Sequence, residues 1–195
     1  MNRAPVIVVT GASGAGKGTL EAELVRRIPV LELAVSATTR ERRRGEEDGR
    51  EYWFISDEEF DRRVREGEFL EWVPYVSGNR YGTLRSEIGR IHASGRIPLL
   101  DLEIEGALTV RDEVPGSVTI FIDVPTFAEL ERRLRERATE SAGEIEERLA
   151  LAREQRRQAG EFQHVILNDD LERAVSELEA VVRAALDGAG TMSRS

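Results

Sequence analysis

Residues 4–19, APVIVVTGASGAGKGT, constrain this chain more than any other stretch. Residues 4–10 form an apolar, β-branched run without polar alternation, the pattern of a strand covered on both faces. A glycine-rich turn at 11–18 follows without a spacer. A helix comes next, with Leu20, Leu24 and Ile28 along one side and Pro29 ending it. A strand buried on both faces needs parallel neighbours and crossover helices. Apolar runs at 97–102, 118–124 and 164–167, each leading into a helical pattern, supply them. The sequence predicts an α/β fold: a parallel core sheet of the phosphate-loop NTPase type, flanked by helices.

The turn itself carries chemistry. In Gly11-Ala12-Ser13-Gly14-Ala15-Gly16-Lys17-Gly18-Thr19 the glycines let successive backbone N–H groups face inward, and the helix N-terminus adds its dipole to this anion cradle. A lysine at the end of such a loop reaches the β and γ phosphates of a nucleoside triphosphate, and the hydroxyl after it ligates Mg²⁺. Here the residue after Lys17 is Gly18, so the nearest hydroxyl is that of Thr19, expected at Mg²⁺ either directly or through water. Of the 28 basic residues all but one are arginine, and the exception is Lys17. A compact ammonium on a flexible stem is what a planar guanidinium cannot imitate. Asp101, closing a buried strand, is the natural carboxylate to order Mg²⁺-bound water.

The texture changes between residues 33 and 94. Tyr52-Trp53-Phe54, Phe69, Trp72, Tyr75 and Tyr81 cluster there with turn residues, predicting a smaller, partly antiparallel insertion. The expected organisation is one domain over residues 1–187. Its core comprises 4–32, 96–125 and 160–187, with an insertion at 33–95, a lid at 126–159 and a disordered tail at 188–195. Capping boxes at Ser56…Glu59, Thr126…Glu129 and Ser141…Glu144 mark helix starts, and Leu171, Ala174, Val175, Leu178, Val182 and Leu186 trace the last helix. Net charge is −9 with no cysteine and two histidines, which argues against nucleic-acid binding, disulfides and thiolate metal sites. No apolar run reaches the roughly 20 residues of a membrane span, and the first residues do not read as a signal peptide.

Several charged residues admit two readings. Arg40 and Arg43 beside Tyr52 make a bidentate fork for a dianionic phosphate, yet the arginine run at 40–44 also reads as a solvated loop. Arg132, Arg133, Arg135 and Arg137 precede a small-residue segment at 138–143 suited to a mobile lid. They equally suit i,i+4 ion pairs such as Glu131–Arg135. Asn168 alone reads as a turn residue, and Glu71 alone as a surface carboxylate on a strand.

In chain order, Ser36-Ala37-Thr38-Thr39-Arg40-Glu41-Arg42-Arg43, Gly45-Glu46 with Gly49 and Tyr52, Phe69-Leu70-Glu71-Trp72, Ser77-Gly78-Asn79-Arg80-Tyr81-Gly82-Thr83, Leu100-Asp101-Leu102-Glu103 with Gly106, and Val165-Ile166-Leu167-Asn168-Asp169-Asp170 resemble the guanylate kinase family. The likeness runs over roughly residues 5–185. It implies transfer of the γ-phosphoryl of MgATP to GMP or dGMP, giving ADP and GDP, and, with no targeting segment visible, a cytoplasmic protein. It implies Arg40, Arg43, Tyr52 and Tyr81 on the GMP phosphate, and Ser36, Glu71, Thr83 and Glu103 on guanine. Arg133, Arg137 and Arg148 would close on the phosphates, and Asn168 would contact adenine. The chain departs from the family pattern at Glu103 for Asp, Glu105 for Gln, and Glu136-Arg137-Ala138 for Gly-Arg-Gly. Two other readings stand beside this one: a non-catalytic guanylate-kinase-like module that binds protein partners, and a phosphate-loop kinase for another acceptor, such as AMP or a sugar phosphate.

Overall fold

The computed structural model describes residues 5–75, 78–137 and 142–192, with the side chains of 137, 142–144 and 189–192 excepted. Strand β1 (Ile7–Gly11) is buried at every position and sits at the centre of a five-stranded sheet. Its neighbours are β7 (Ile97–Asp101) and β8 (Val118–Asp123); β2 (Leu31–Leu33) lies outside β7 and β9 (His164–Leu167) outside β8. Every pairing is parallel. This arrangement explains the unbroken apolar runs, because helices cover both faces of the central strands. Strand β2 is not distinguished by the sequence pattern: three residues are too few to show a period.

Parallel strands share a direction, so the carboxyl ends of β1 and β7 open on one rim, where an α/β sheet places its ligands. Helix α1 (Lys17–Arg27) starts there, two residues earlier than the apolar pattern suggests. At its far end it is clamped to the last helix, α7 (Leu171–Met192). The guanidinium of Arg27 donates to Glu172 at 2.6 and 2.7 Å, to Glu179 at 3.4 Å and to Glu23 at 3.2 Å. Ala174, Val175, Leu178 and Val182 of α7 are fully buried as their spacing predicts, whereas Leu171, at the first helical position, is 47% exposed. The tail expected from residue 188 is helical as far as Met192, because the helix propagates through a segment that holds no proline.

Residues between β2 and β7 build a second sheet, ordered β4 (Trp53–Phe54), β3 (Ala37–Thr38), β6 (Arg80–Leu84), β5 (Phe69–Pro74). The β3–β6 and β6–β5 pairs are antiparallel and β3–β4 is parallel. A small core of Ala37, Phe60, Phe69 and Leu84 holds it, with Phe60 from α2 (Asp57–Arg65) stacked on Phe69 at 4.4 Å. Ser56 caps α2 by accepting from the Glu59 N–H at 3.2 Å, and Thr126 caps α5 (Phe127–Arg137) through Glu129 at 3.2 Å. In both, the glutamate carboxylate turns to arginines on its own helix rather than back to the cap. Ser141, and so the third cap, lies outside the described residues. Helix α3 (Arg85–Ala93) packs against β7, and α4 (Ile104–Glu113) packs against both β1 and β5, tying the two sheets together.

Candidate active site

The phosphate loop spans the end of β1 to the start of α1. Gly16, the N-cap, has a left-handed backbone (φ 89°), and a Cβ there would lie 2.6 Å from the side-chain nitrogen of Asn168. Both conformation and space demand glycine. Asn168 is buried and its amide donates to Ala15 O at 2.7 Å, so it braces the loop from the end of β9. Gln155, from α6 (Ala142–Arg157), accepts from the Ser13 N–H at 2.9 Å. Neither brace is apparent from sequence spacing, since each joins residues more than 140 positions apart. Within the loop, Ala12 and Ala15 are buried.

Two adjoining hollows occupy the rim. One, of about 360 Å³, follows the loop along Gly14, Gly16, Lys17, Gly18 and Thr19 and ends at Asp101. The other is a cleft of about 430 Å³ between the two sheets. Ser36, Arg43, Tyr52, Glu71 and Tyr81 face it from the second sheet and its loops. Lys17, Asp101, Glu103 and Arg148 face it from the core side. Lys17 and Asp101 are common to both hollows. The Lys17 ammonium donates to Gly11 O at 3.5 Å.

The second-sheet end of the cleft is built around Glu46. Its carboxylate accepts from the Arg40 guanidinium at 2.8 and 3.1 Å and from the Arg43 N–H at 2.8 Å. Arg40 lies over the rings of Tyr52 and Phe54, at 5.3 and 5.5 Å, and Tyr52 meets Tyr81 edge-on at 5.7 Å. Arg40 is therefore held, not solvated, and it stands behind the wall that Arg43 and the two tyrosines present to the cleft.

Glu71 and Thr83 face each other across the β5–β6 ladder. Glu71 is 5% exposed, and its Oε1 and the Thr83 Oγ1 are both buried without hydrogen-bond partners. Burial pushes the Glu71 carboxyl above its ordinary value, and Thr83 opposes the shift. A Cβ on Gly106 of α4 would collide with Oε2 of Glu71, so the absence of a side chain there makes room for this carboxylate. Glu103, the N-cap of α4, is likewise pushed up by burial, with Lys17 pulling the other way.

Arg133 of α5 donates to Asn168 O at 2.8 Å and to Glu129 at 2.7 Å, so it joins the helix to the loop brace. Arg132 and Arg135 pair along their own helix, with Glu129 and Glu131. The ion-pair reading thus holds for Arg132 and Arg135, and Arg133 combines such a pair with the bond to Asn168. The Arg137 side chain and residues 138–141, part of the expected lid, lie outside what the structure describes.

Below Lys17, Glu21 of α1 is 4% exposed, an unexpected carboxylate between Leu20 and Leu24. Burial and the Asp101 charge push its carboxyl well above the usual range, against the pull of Lys17; Asp101 is also raised, chiefly by burial. Among the described residues no cluster of three or more His, Cys, Asp or Glu could hold a metal alone, and no helix is long and apolar enough to cross a membrane.

A parallel sheet, a lysine-tipped anion loop on its rim and a facing cleft lined by arginine, tyrosine and buried carboxylates define a phosphate-loop phosphotransferase. Comparison with known proteins narrows the class. The guanylate kinase family model matches residues 3–185, and the chain belongs to that family. It is 46% identical over 179 residues to the guanylate kinase of Symbiobacterium thermophilum, covering 92% of this chain and 84% of the relative. It is 45% identical over 188 residues to that of Rubrobacter xylanophilus, covering 96% and 98%. The crystal structure of guanylate kinase from Anaplasma phagocytophilum superposes with a TM-score of 0.72 at 28% identity, covering 93% of this chain and 85% of that one.

Proposed function

We propose that the chain transfers the γ-phosphoryl group of MgATP to GMP or dGMP. The observation that carries this is the sharing of Lys17 and Asp101 between the loop hollow and the inter-sheet cleft. A triphosphate on the loop and a monophosphate in the cleft then meet at Lys17. The acceptor oxygen belongs to an ionised phosphate, so no general base is needed, and catalysis reduces to positioning and charge neutralisation. The N–H groups of residues 11–19 and the Lys17 ammonium hold the donor phosphates. Arg43, Tyr52 and Tyr81 hold the acceptor phosphate, with Arg40 behind them. Arg133, Arg137 and Arg148 add positive charge from the α5–α6 side, and Asn168 keeps the loop in shape beside the adenine position.

Magnesium fits the donor set: the Thr19 hydroxyl and the Asp101 carboxylate border one hollow, and hard oxygen ligands of this kind, completed by phosphates and water, suit it. The buried, partnerless Oε1 of Glu21 beside them also fits a site for a hydrated cation. When bound, the ion would neutralise charge developing on the β and γ oxygens.

The partnerless Oε1 of Glu71 supports guanine as the base. Guanine presents N1–H and N2–H₂ side by side to one carboxylate, with Ser36, Thr83 and Glu103 around it; adenine presents a lone pair at N1 and would leave Glu71 unpaired. Sites of this design reject the wrong ligand by about 10⁴-fold or more. A coupled ADP-release assay across GMP, dGMP, AMP, CMP and UMP is expected to show turnover confined to the guanine nucleotides. Comparable turnover of AMP would remove the base assignment.

The Gly106 gap yields a second expectation. In Gly106→Ala the new methyl displaces the Glu71 carboxylate, at a cost of about 1–3 kcal/mol. KM for GMP should rise roughly 10-fold or more, while KM for ATP stays put. Equal rises in both constants would show that the contact does not serve the base.

A further inference from the structure

The strict phosphate-loop pattern sets a hydroxyl directly after its lysine, and this chain has glycine there. Nothing in the fold demands that glycine. A Cβ on Gly18 would meet no atom within 4 Å, and its backbone is not left-handed. Gly18 lines the loop hollow. One turn along α1, on the same side of the helix, stands Glu21.

Glu21 is anomalous where it is. A carboxylate at a buried helix position costs free energy unless it is paired or hydrogen-bonded. Its charged neighbours are Asp101, whose charge opposes its own and whose carboxylate shares a hydrogen bond with it, and Lys17, whose ammonium reaches instead toward Gly11 O. Oε1 has no partner. Asp101 closes the phosphate hollow, and the carboxyl paired with it keeps one buried oxygen unused.

We propose that Glu21 is a positioning residue for the divalent cation: with Asp101 it accepts hydrogen bonds from cation-bound water, doing from one turn further along what the hydroxyl after the lysine does in the strict pattern. The inference rests on the metal–nucleotide reading above. Magnesium keeps several waters and takes only one or two carboxylates, so a pair acting through water suits it. Outer partners of this kind are worth about 10- to 100-fold in metal affinity.

The test titrates Mn²⁺ into the ADP-bound protein and follows free Mn²⁺ by electron paramagnetic resonance. Glu21→Gln is expected to weaken Mn²⁺ binding about 10-fold or more while leaving metal-free ADP binding unchanged. Adding Gly18→Ser to that variant, where the open space admits the side chain, should recover most of the loss. Melting curves of Glu21→Gln and Glu21→Leu without metal or nucleotide should lie at or above that of the unaltered protein, since each removes a carboxyl whose ionisation burial and Asp101 oppose. Unchanged Mn²⁺ affinity in Glu21→Gln overturns the proposal. So does a loss that Gly18→Ser does not relieve, or one that comes with a lowered melting temperature in both variants. Failure of the unaltered protein to bind Mn²⁺ with ADP overturns the metal reading, and this proposal with it.

Discussion

Lys17→Ala is expected to lower turnover at saturating substrates about 10²- to 10³-fold, the usual cost of deleting one preorganised group that stabilises transition-state charge, while the protein stays folded. Lys17 is only partly buried and belongs to neither apolar core, so truncation opens no cavity in one. What it removes is the cation common to the two hollows. Asp101, Glu103 and Glu21 all feel its attraction, and in the variant they face the incoming phosphates without it. Lys17→Arg should rescue little, because a planar, weakly hydrated fork does not replace a compact ammonium in a cradle of backbone N–H groups. The measurement is kcat with a parallel melting curve. Rates near those of the unaltered protein would take Lys17 out of the chemistry.

Glu71→Gln carries the second large effect. The amide keeps the shape but turns one acceptor oxygen into a donor, which then faces a donor on guanine. Losing a charge-assisted hydrogen bond costs about 1.5–3 kcal/mol, so kcat/KM for GMP should fall roughly 10- to 100-fold. The GMP-to-AMP ratio should shrink with it, since the amide can donate to adenine N1. ATP binding, on the loop hollow, should not change. Folding should not suffer either, because the substitution removes a charge that burial already disfavours. An unaltered GMP-to-AMP ratio would detach Glu71 from base selection.

The loop and the core sheet are legible in the sequence because several local signals agree there: an unbroken apolar run, glycines at a helix start, and one lysine among arginines. The motifs around Arg40, Glu71 and Tyr81 are legible as a resemblance, in order along the chain. What escapes is set by contacts between distant residues. Asn168 carries no hint that it braces Ala15, nor Gln155 that it holds Ser13. Arg40 looks like one member of a solvated run until Glu46 and two rings are seen to hold it. Glu21 reads as one more polar residue on an amphipathic helix, although its place between Leu20 and Leu24 is the one clue that it lies inward. Strand β2 is too short for periodicity, and the last turns of α7 continue past glycines that, read alone, suggest an end.

The Arg27 clamp between α1 and α7 bears on how the protein meets heat. Ionic groups lose hydration free energy as temperature rises, so drawing them together becomes less costly just when chain entropy pulls hardest against the native state. A guanidinium shared by Glu23, Glu172 and Glu179 therefore secures the far end of the nucleotide-bearing helix better in warm, dilute buffer than in cold brine.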